Sequence, residues 1–400
     1  MDSSIRPLTE VDLQWIEAHR HANPAMARLK HHLDPDKLWL VDQIEARQKG
    51  AKKVAEELKK APMFLFPTVL SAEQCTTDSL ARYHAGYINE GDTVLDMTAG
   101  LGIDAIHLSN RAKQVIAVDI DLRCSEALKI NSDSLSLDNI TPINADSVEL
   151  LKTARTKYDA IFVDPARRGD GGKRLYALKE CQPDIVGNIE MIISRCNKLI
   201  IKASPMLDVT AVAAELQEFT PDIIAVGTAD ECKELLLILP GNNHRGAATV
   251  EDEKNTETIY FDDERLHEAK YATPAKGVFL YEPSPAVVKM GVFNGLSARY
   301  DVYKIGRNTH LYLSEELKEG FPGKVFRIVE TVEFSKKTAR EIVERYGSLS
   351  VTTRDFPMTA TEFKGRFKTG ESDRHRLWAV RTYEAKLILI VTESANFNFY

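Results

Sequence analysis

The chain has little of what an exported or membrane-embedded protein would need. Its five cysteines, spread over 400 residues, show no CxxC spacing. That gives neither a disulfide framework nor a zinc-ligand pattern, so reduced thiols and no metal are expected. No apolar run approaches the roughly 20 residues of a membrane-crossing helix. The opening Met1–Arg6 lacks a basic-then-apolar leader, and a cytoplasmic location is expected. A basic excess is also missing: 52 Lys and Arg stand against 59 Asp and Glu, a net charge of -7. Such a balance excludes a chain that coats nucleic acid indiscriminately. The deficit is uneven, however. Residues 1–70 and 331–400 each hold slightly more Lys and Arg than Asp and Glu, which leaves room for a local basic face at either end.

Four hundred residues are too many for one ordinary core, so several domains are expected. Residues 1–70 carry helical patterns from Leu13 and Ile16 and again over Leu38–Leu58, predicting an N-terminal helical domain. Pro62 and Pro67 bracket a short extended linker, and a helix capped near Ser71 is expected to run through Leu80 to Ile88. From Asp92 strand-like and helical patterns alternate. The strand-like runs are 93–96, 115–119, 141–144, 160–164, 198–203, 223–226 and 234–239. Alternation predicts an α/β fold with a Rossmann-like parallel sheet covered on both faces, here over residues 71–245. The last two runs are separated by a short turn, so the seventh strand should be antiparallel. A polar stretch to about Tyr271 then precedes two smaller segments, 272–324 and 325–400, that read as small α+β domains.

The chemistry concentrates where these runs end. Val94-Leu95-Asp96 leads into the small loop Met97-Thr98-Ala99-Gly100-Leu101-Gly102, where glycines admit a ligand that a β-carbon would block. Three more acids stand at later strand ends: Asp119, Asp146 and Asp164. Gly100, Gly102 and Ala105 satisfy a loose dinucleotide fingerprint, so spacing alone leaves a nicotinamide cofactor open. Asp96 favours S-adenosyl-L-methionine, since its charge suits the methionine ammonium. Asp119 is placed for ribose hydroxyls and Asp146, with Ser147 beside it, for an adenine amino group. At the fourth strand end, Asp164 and the carbonyl beside rigid Pro165 can accept hydrogen bonds from an incoming amino group. Arg167 and Arg168 can clamp a phosphate, and Lys202 at the fifth strand end faces the same cleft. A Pro-Cys nucleophile for methylation at pyrimidine carbon 5 is missing.

From Phe64 to Leu239 these residues resemble the class I S-adenosylmethionine-dependent methyltransferases. The similarity extends to the bacterial family with an appended ferredoxin-like insert and a THUMP-like domain. The marks are Glu73-Gln74, Asp96-xxx-Gly100-x-Gly102-x-Asp104, Val118-Asp119-Ile120-Asp121 and Asp164-Pro165-Ala166-Arg167-Arg168. Tyr281-Glu282-Pro283-x-Pro285-Ala286 resembles the insert, and the last 70 or so residues resemble the THUMP-like end. The resemblance implies cofactor contacts at Asp104 and Ile120 as well, and an RNA partner, transfer or ribosomal. The loop Thr98–Ala105 is also similar to that of bacterial ribosomal RNA guanine-N2 methyltransferases. Here the chain departs from amino-group methylases, which commonly place an aromatic after Asp-Pro-Pro, where this sequence has Ala166 and Arg167.

The reading that follows is an RNA methyltransferase with docking elements at its ends. Lys364, Arg366 and Lys368 fall at every second position, and Arg374 and Arg376 repeat the spacing, so strands would present them on one face to phosphates. A chain cut after about Gly323 is expected to keep its cofactor site. Two other readings use the same residues: methylation of a small molecule or protein side chain, and a non-catalytic cofactor-binding platform.

Overall fold

The computed structural model describes residues 5–167, 178–250, 256, 258–261 and 264–394. Arg168 lies outside the described residues. The chain forms two compact bodies, one of residues 1–223, 234–243 and 250–256, the other of 224–233, 244–249 and 257–400.

In the first body the expected strands form. They are β1 (Thr93–Asp96), β2 (Gln114–Asp119), β3 (Ile140–Asn144), β4 (Tyr158–Val163) and β5 (Cys196–Ala203), then β6 (Asp222–Gly227), most of which belongs to the second body, and β7 (Cys232–Leu239). Six of them lie in the order β7-β5-β4-β1-β2-β3. Pairing is parallel from β5 to β3, whereas β7 runs antiparallel to β5, Leu199 opposite Leu239. The reversal comes from the tight turn after β6, closed by the Thr228 N–H on the Glu231 carbonyl at 2.8 Å. Val94 and Leu95 of β1 and Ala160–Val163 of β4 are buried. Near-continuous apolar runs are what a sheet covered on both faces requires.

The N-terminal helices pack against this sheet's helical layer. Helices α1 (Glu10–Ala18), α2 (Pro24–Lys30), α3 (Pro35–Gly50) and α4 (Ala55–Lys60) come first. Ile16, Leu40 and Ile44 share a core with Leu65 and with Ala127 of α8 (Leu122–Ser134). The segment between Pro62 and Pro67 begins in a turn closed by the Phe64 N–H on the Ala61 carbonyl, and it is no free linker. Phe64, Leu65 and Phe66 are fully buried. Leu65 exchanges two hydrogen bonds with the Asn131 amide, 2.7 and 2.9 Å, and Gln43 does the same for Phe66. The helix expected from Ser71 to Ile88 is two helices, α5 (Val69–Gln74) and α6 (Asp78–Ala85). Thr68 and Thr77 each supply an N-cap, so the backbone restarts after Cys75.

The second body carries a seven-stranded sheet. Its strands, in chain order, are β10 (Phe279–Pro283), β11 (Tyr303–Lys304), β12 (Tyr312–Ser314), β13 (Gly323–Glu333), β14 (Ser350–Arg354), β15 (His375–Arg381) and β16 (Leu387–Ser394). They lie in the order β11-β12-β10-β13-β16-β15-β14. Two strands form in the stretch expected to be a polar connector: β8 (Arg245–Thr249) and β9 (Ile259–Phe261), which pair antiparallel. Long β13 pairs β10 on one side and β16 on the other. The two small C-terminal segments therefore share one sheet, and a cut after Gly323 strips β10 of its partner on one edge, leaving only β12, instead of removing a self-contained unit.

The expected basic strand face does not form. Lys364 and Arg366 sit on the helix Ala360–Phe367, and Lys368 is its C-cap in the left-handed region. Thr359 and Glu362 form a capping box, and Phe363 and Phe367, four residues apart, bury one helical face. On a helix, residues two apart point to nearly opposite sides. Lys364 is paired with Glu371. Arg376 does lie on a strand, but its guanidinium rests 5.3 Å from the Phe326 and Trp378 rings and 3.5 Å from Glu282. Arg366, Lys368 and Arg374 remain exposed.

Candidate active site

The sheet of the first body brings the acidic strand ends together. Asp96 closes β1 with its side chain fully buried. One carboxylate oxygen accepts the Thr98 N–H at 3.0 Å, and the other has no hydrogen-bond partner. Burial, with Asp104, Asp119 and Asp164 around it, pushes this carboxyl well above the usual range. The loop then turns on two glycines. Gly100 has φ +53° and open space where a side chain would stand. Gly102 has φ +90°, caps α7 (Ile103–Ser109), and would place a Cβ 2.3 Å from Leu128. Only glycine fits such a position without displacing α8.

Asp119 at the end of β2 orders this loop from across the sheet. Its carboxylate accepts the Gly100 N–H at 2.7 Å and the Asp121 N–H at 2.8 Å. Further lone pairs stay available for hydroxyl donors. Ile120, next along, is 77% exposed, an apolar side chain left open at the strand end. Asp146 is exposed, and one of its oxygens caps α9 (Ser147–Thr153) through the Val148 and Glu149 N–H groups. Ser147 beside it is buried.

The fourth strand end is held by the first: the Asp164 N–H donates to the Thr98 hydroxyl at 2.7 Å. Pro165 is buried, while the Asp164 side chain is 40% exposed. Its carboxylate accepts from the Lys202 ammonium at 2.6 Å. Lys202 also donates to the Thr76 hydroxyl at 3.0 Å, and Thr76 donates to Asp104 at 2.5 Å. Asp104 then meets His84 Nδ1 at 2.7 Å, and His84 Nε2 contacts Glu234. With a carboxylate on each ring nitrogen, His84 is an imidazolium. Burial opposes its charge, but Glu234 and Asp104 raise its pKa to about 10, and Asp104 falls to about 2 against the same burial. Lys202 is likewise raised despite burial, by Asp164, Asp104 and Glu234. A continuous line of paired charges thus runs from the open carboxylate of Asp164 into the core.

The sequence-predicted site divides accordingly. Asp96, Gly100, Gly102, Asp119, Ile120, Asp164 and Pro165 stand along the strand ends that face the loop. Asp104 gives its oxygens to His84 and Thr76, so its role is internal. Lys202 was read as a cation for RNA phosphate, but it is only 14% exposed and spent on Asp164 and Thr76. Arg167 continues from Asp164 in a two-residue ladder with Cys181. His84 and Glu234 were missed. They are 150 residues apart, and nothing in their local sequence marks them.

Known proteins place this arrangement. Residues 63–178 match the family described as conserved hypothetical protein 95, 279–322 a ferredoxin-like domain and 323–394 a THUMP domain-like family. A crystal structure named as a candidate methyltransferase, from Porphyromonas gingivalis W83, superposes with a TM-score of 0.83 at 25% identity. It covers 98% of this chain and 100% of that one. An uncharacterised RNA methyltransferase of Mycoplasma mobile is 34% identical over 83 residues, 21% of this chain and 23% of its own length. A 23S ribosomal RNA uracil-C5 methyltransferase of Idiomarina loihiensis is 37% identical over 89 residues, 22% and 20% of the two chains. The chain thus spans only about a fifth to a quarter of the length of these curated relatives. By strand order, loop and domain succession, the chain resembles a class I methyltransferase fold followed by ferredoxin-like and THUMP-like domains.

Proposed function

We propose that this chain transfers a methyl group from S-adenosyl-L-methionine to RNA, at an exocyclic amino nitrogen of a base. One observation carries the cofactor reading: a fully buried Asp96 oxygen without a partner beside an open glycine cradle. A buried carboxylate is costly unless a cation meets it, and the ammonium of a methionine moiety fits. Asp119 would take the ribose hydroxyls, Ile120 would lie against the adenine, and Ser147 and Asp146 would stand at its edge. Bound there, the cofactor supplies an electrophilic methyl group on a sulfonium.

The chain's own residues do the rest. Asp164, fixed by Thr98 and Lys202, accepts a hydrogen bond from the target amino group and aligns its lone pair. Partial burial raises its pKa, Lys202 opposes the rise, and Asp104 and Glu234 support it, for a net shift upward. A more basic acceptor favours taking the amino proton as the nitrogen–carbon bond forms. A covalent route through cysteine has no support among the described residues. Cys75, whose thiol feels Lys202 and Asp104, is pushed up to about 11 by burial and bonds to the Ala72 carbonyl. RNA as substrate draws on the relatives named as RNA methyltransferases and on the THUMP-like domain.

Calorimetry tests the cofactor site. Wild-type protein should bind S-adenosylmethionine. Asp119→Ala should weaken it by about 1–3 kcal/mol, through the lost ribose acceptor and the freed Gly100 N–H. Absence of wild-type binding, or tight binding of a nicotinamide dinucleotide in its place, would refute the assignment.

A pH series gives a second check. Because the folded pKa of Asp96 lies above its unfolded value, the native state holds the extra proton, and stability without ligand should fall as pH rises through that range. Cofactor affinity should move the other way, strengthening as Asp96 ionises, until the cofactor's amine itself deprotonates. Affinity that is flat or falling from pH 5 to 7 would remove Asp96 from the ammonium site.

For the RNA partner, phosphate contacts should make binding salt-dependent. Of the proposed cations, Arg366, Lys368 and Arg374 are exposed. Each one that touches phosphate should contribute roughly 0.7 to 0.9 to the log–log salt slope. Filter binding with Arg366→Glu, Lys368→Glu and Arg374→Glu in the full-length chain reads the change. An unaltered slope in all three would put the RNA surface elsewhere.

A further inference from the structure

Away from the strand ends, three ionisable side chains from three helices meet in the interior of the first body. They are Glu57 of α4, Asp78 at the start of α6 and His107 of α7. Glu57 is 1% exposed, His107 5% and Asp78 8%. His107 Nε2 lies 3.3 Å from a Glu57 oxygen and 3.6 Å from an Asp78 oxygen. One donor-acceptor atom from each residue falls within 4.8 Å of the other two.

Ion pairing brings them together, since His107 lies within reach of both carboxylates, but hydrogen-bond geometry is not met at every atom. His107 Nε2, Glu57 Oε2 and Asp78 Oδ1 are buried atoms without a hydrogen-bond partner. The other Asp78 oxygen is used separately, accepting the Glu56 N–H at 3.0 Å. Leaving three such atoms unsatisfied would be costly. Ligand spacing offers the alternative. Zinc holds histidine nitrogen and carboxylate oxygen at about 2.0–2.2 Å in a tetrahedron, which sets neighbouring ligand atoms roughly 3.3 Å apart. Burial opposes a charge on His107, but Asp78 and Glu57 raise its pKa to about 9, so without a metal one positive charge faces two carboxylates; a divalent cation that displaces the imidazolium proton would cancel both.

We propose that Glu57, Asp78 and His107 form a buried site for a zinc-class divalent cation, with water in the fourth position. An imidazole with two carboxylates suits zinc, and cobalt as its substitute, better than magnesium or calcium, which prefer all-oxygen shells. The site is structural. It ties α4 and α6 to α7, the helix that begins directly after the cofactor loop at Gly102, and its existence does not depend on the reaction proposed above.

The test uses the full-length chain. Elemental analysis of freshly purified protein, then calorimetry of chelator-treated protein with zinc and the visible spectrum with cobalt, should give one equivalent bound in tetrahedral nitrogen–oxygen coordination. His107→Gln and Asp78→Asn should each weaken that uptake by roughly 100-fold or more. Zinc should raise the Tm of stripped wild-type protein and leave that of Asp78→Asn unchanged. If His107→Gln does not fold, Asp78→Asn and the wild-type cobalt spectrum still decide. Wild-type protein that takes up neither metal overturns the proposal. So does uptake that persists in the variants, which would mark adventitious binding at exposed histidines such as His21 and His32.

Discussion

Asp164→Ala is expected to keep cofactor affinity within a few fold and to lose methyl transfer by roughly 100-fold or more. The division follows from position. Asp164 ends β4, while the groups proposed to hold the cofactor, Asp96, Gly100 and Asp119, belong to β1, its loop and β2. Removing the carboxylate leaves the Thr98 hydroxyl with its Asp164 N–H donor, since that bond uses the backbone. Lys202 is not stranded either, because Asp104 and Glu234 remain near it and Thr76 still accepts its proton. The variant should therefore fold and bind while lacking the acceptor that aligns the target. Single-turnover methylation alongside calorimetry separates the two effects. Equal losses in affinity and rate would make Asp164 a binding group, and an active variant would move the chemistry elsewhere.

Lys202→Met should have the larger effect on stability, about 3–5 kcal/mol, as for other broken buried ion pairs. Lys202 is one of two cations among three acids, Asp164, Asp104 and Glu234, with His84 the other. Deleting it leaves more negative than positive charge in a place where water screens little. The loss should shrink as pH falls and the carboxylates take up protons. Urea unfolding at two pH values measures this, and a loss below about 1 kcal/mol at pH 7 would mean solvent reaches the cluster. Because Lys202 also positions Asp164, turnover should fall even where the variant stays folded.

How far these features can be read from sequence depends on how local their causes are. The strands from β1 to β7 were legible because each is a short apolar run between polar or turn residues. The glycine loop after β1 was legible for the same reason, with Asp96, Gly100 and Gly102 inside seven consecutive residues. The Asp104–His84–Glu234 line was not, since it joins two helices and strand β7 from distant parts of the sequence. Lys202 misled because a lysine at a strand end ordinarily faces water. The cations from Lys364 to Lys368 misled for another reason: alternate spacing was weighed without the Thr359–Glu362 capping box and the Phe363–Phe367 pair, both visible in sequence. Between Pro62 and Pro67 the prolines suggested a linker, while three consecutive large apolar residues, Phe64–Phe66, carried the better signal.

The most direct test of RNA methylation is mass spectrometry of modified nucleosides in transfer and ribosomal RNA from a strain lacking this gene and from its parent. One methylated nucleoside, carrying its methyl on an exocyclic amino nitrogen, should disappear with the gene. It should return with the wild-type gene and fail to return with Asp164→Ala. Identical nucleoside profiles in the two strains would contradict the account.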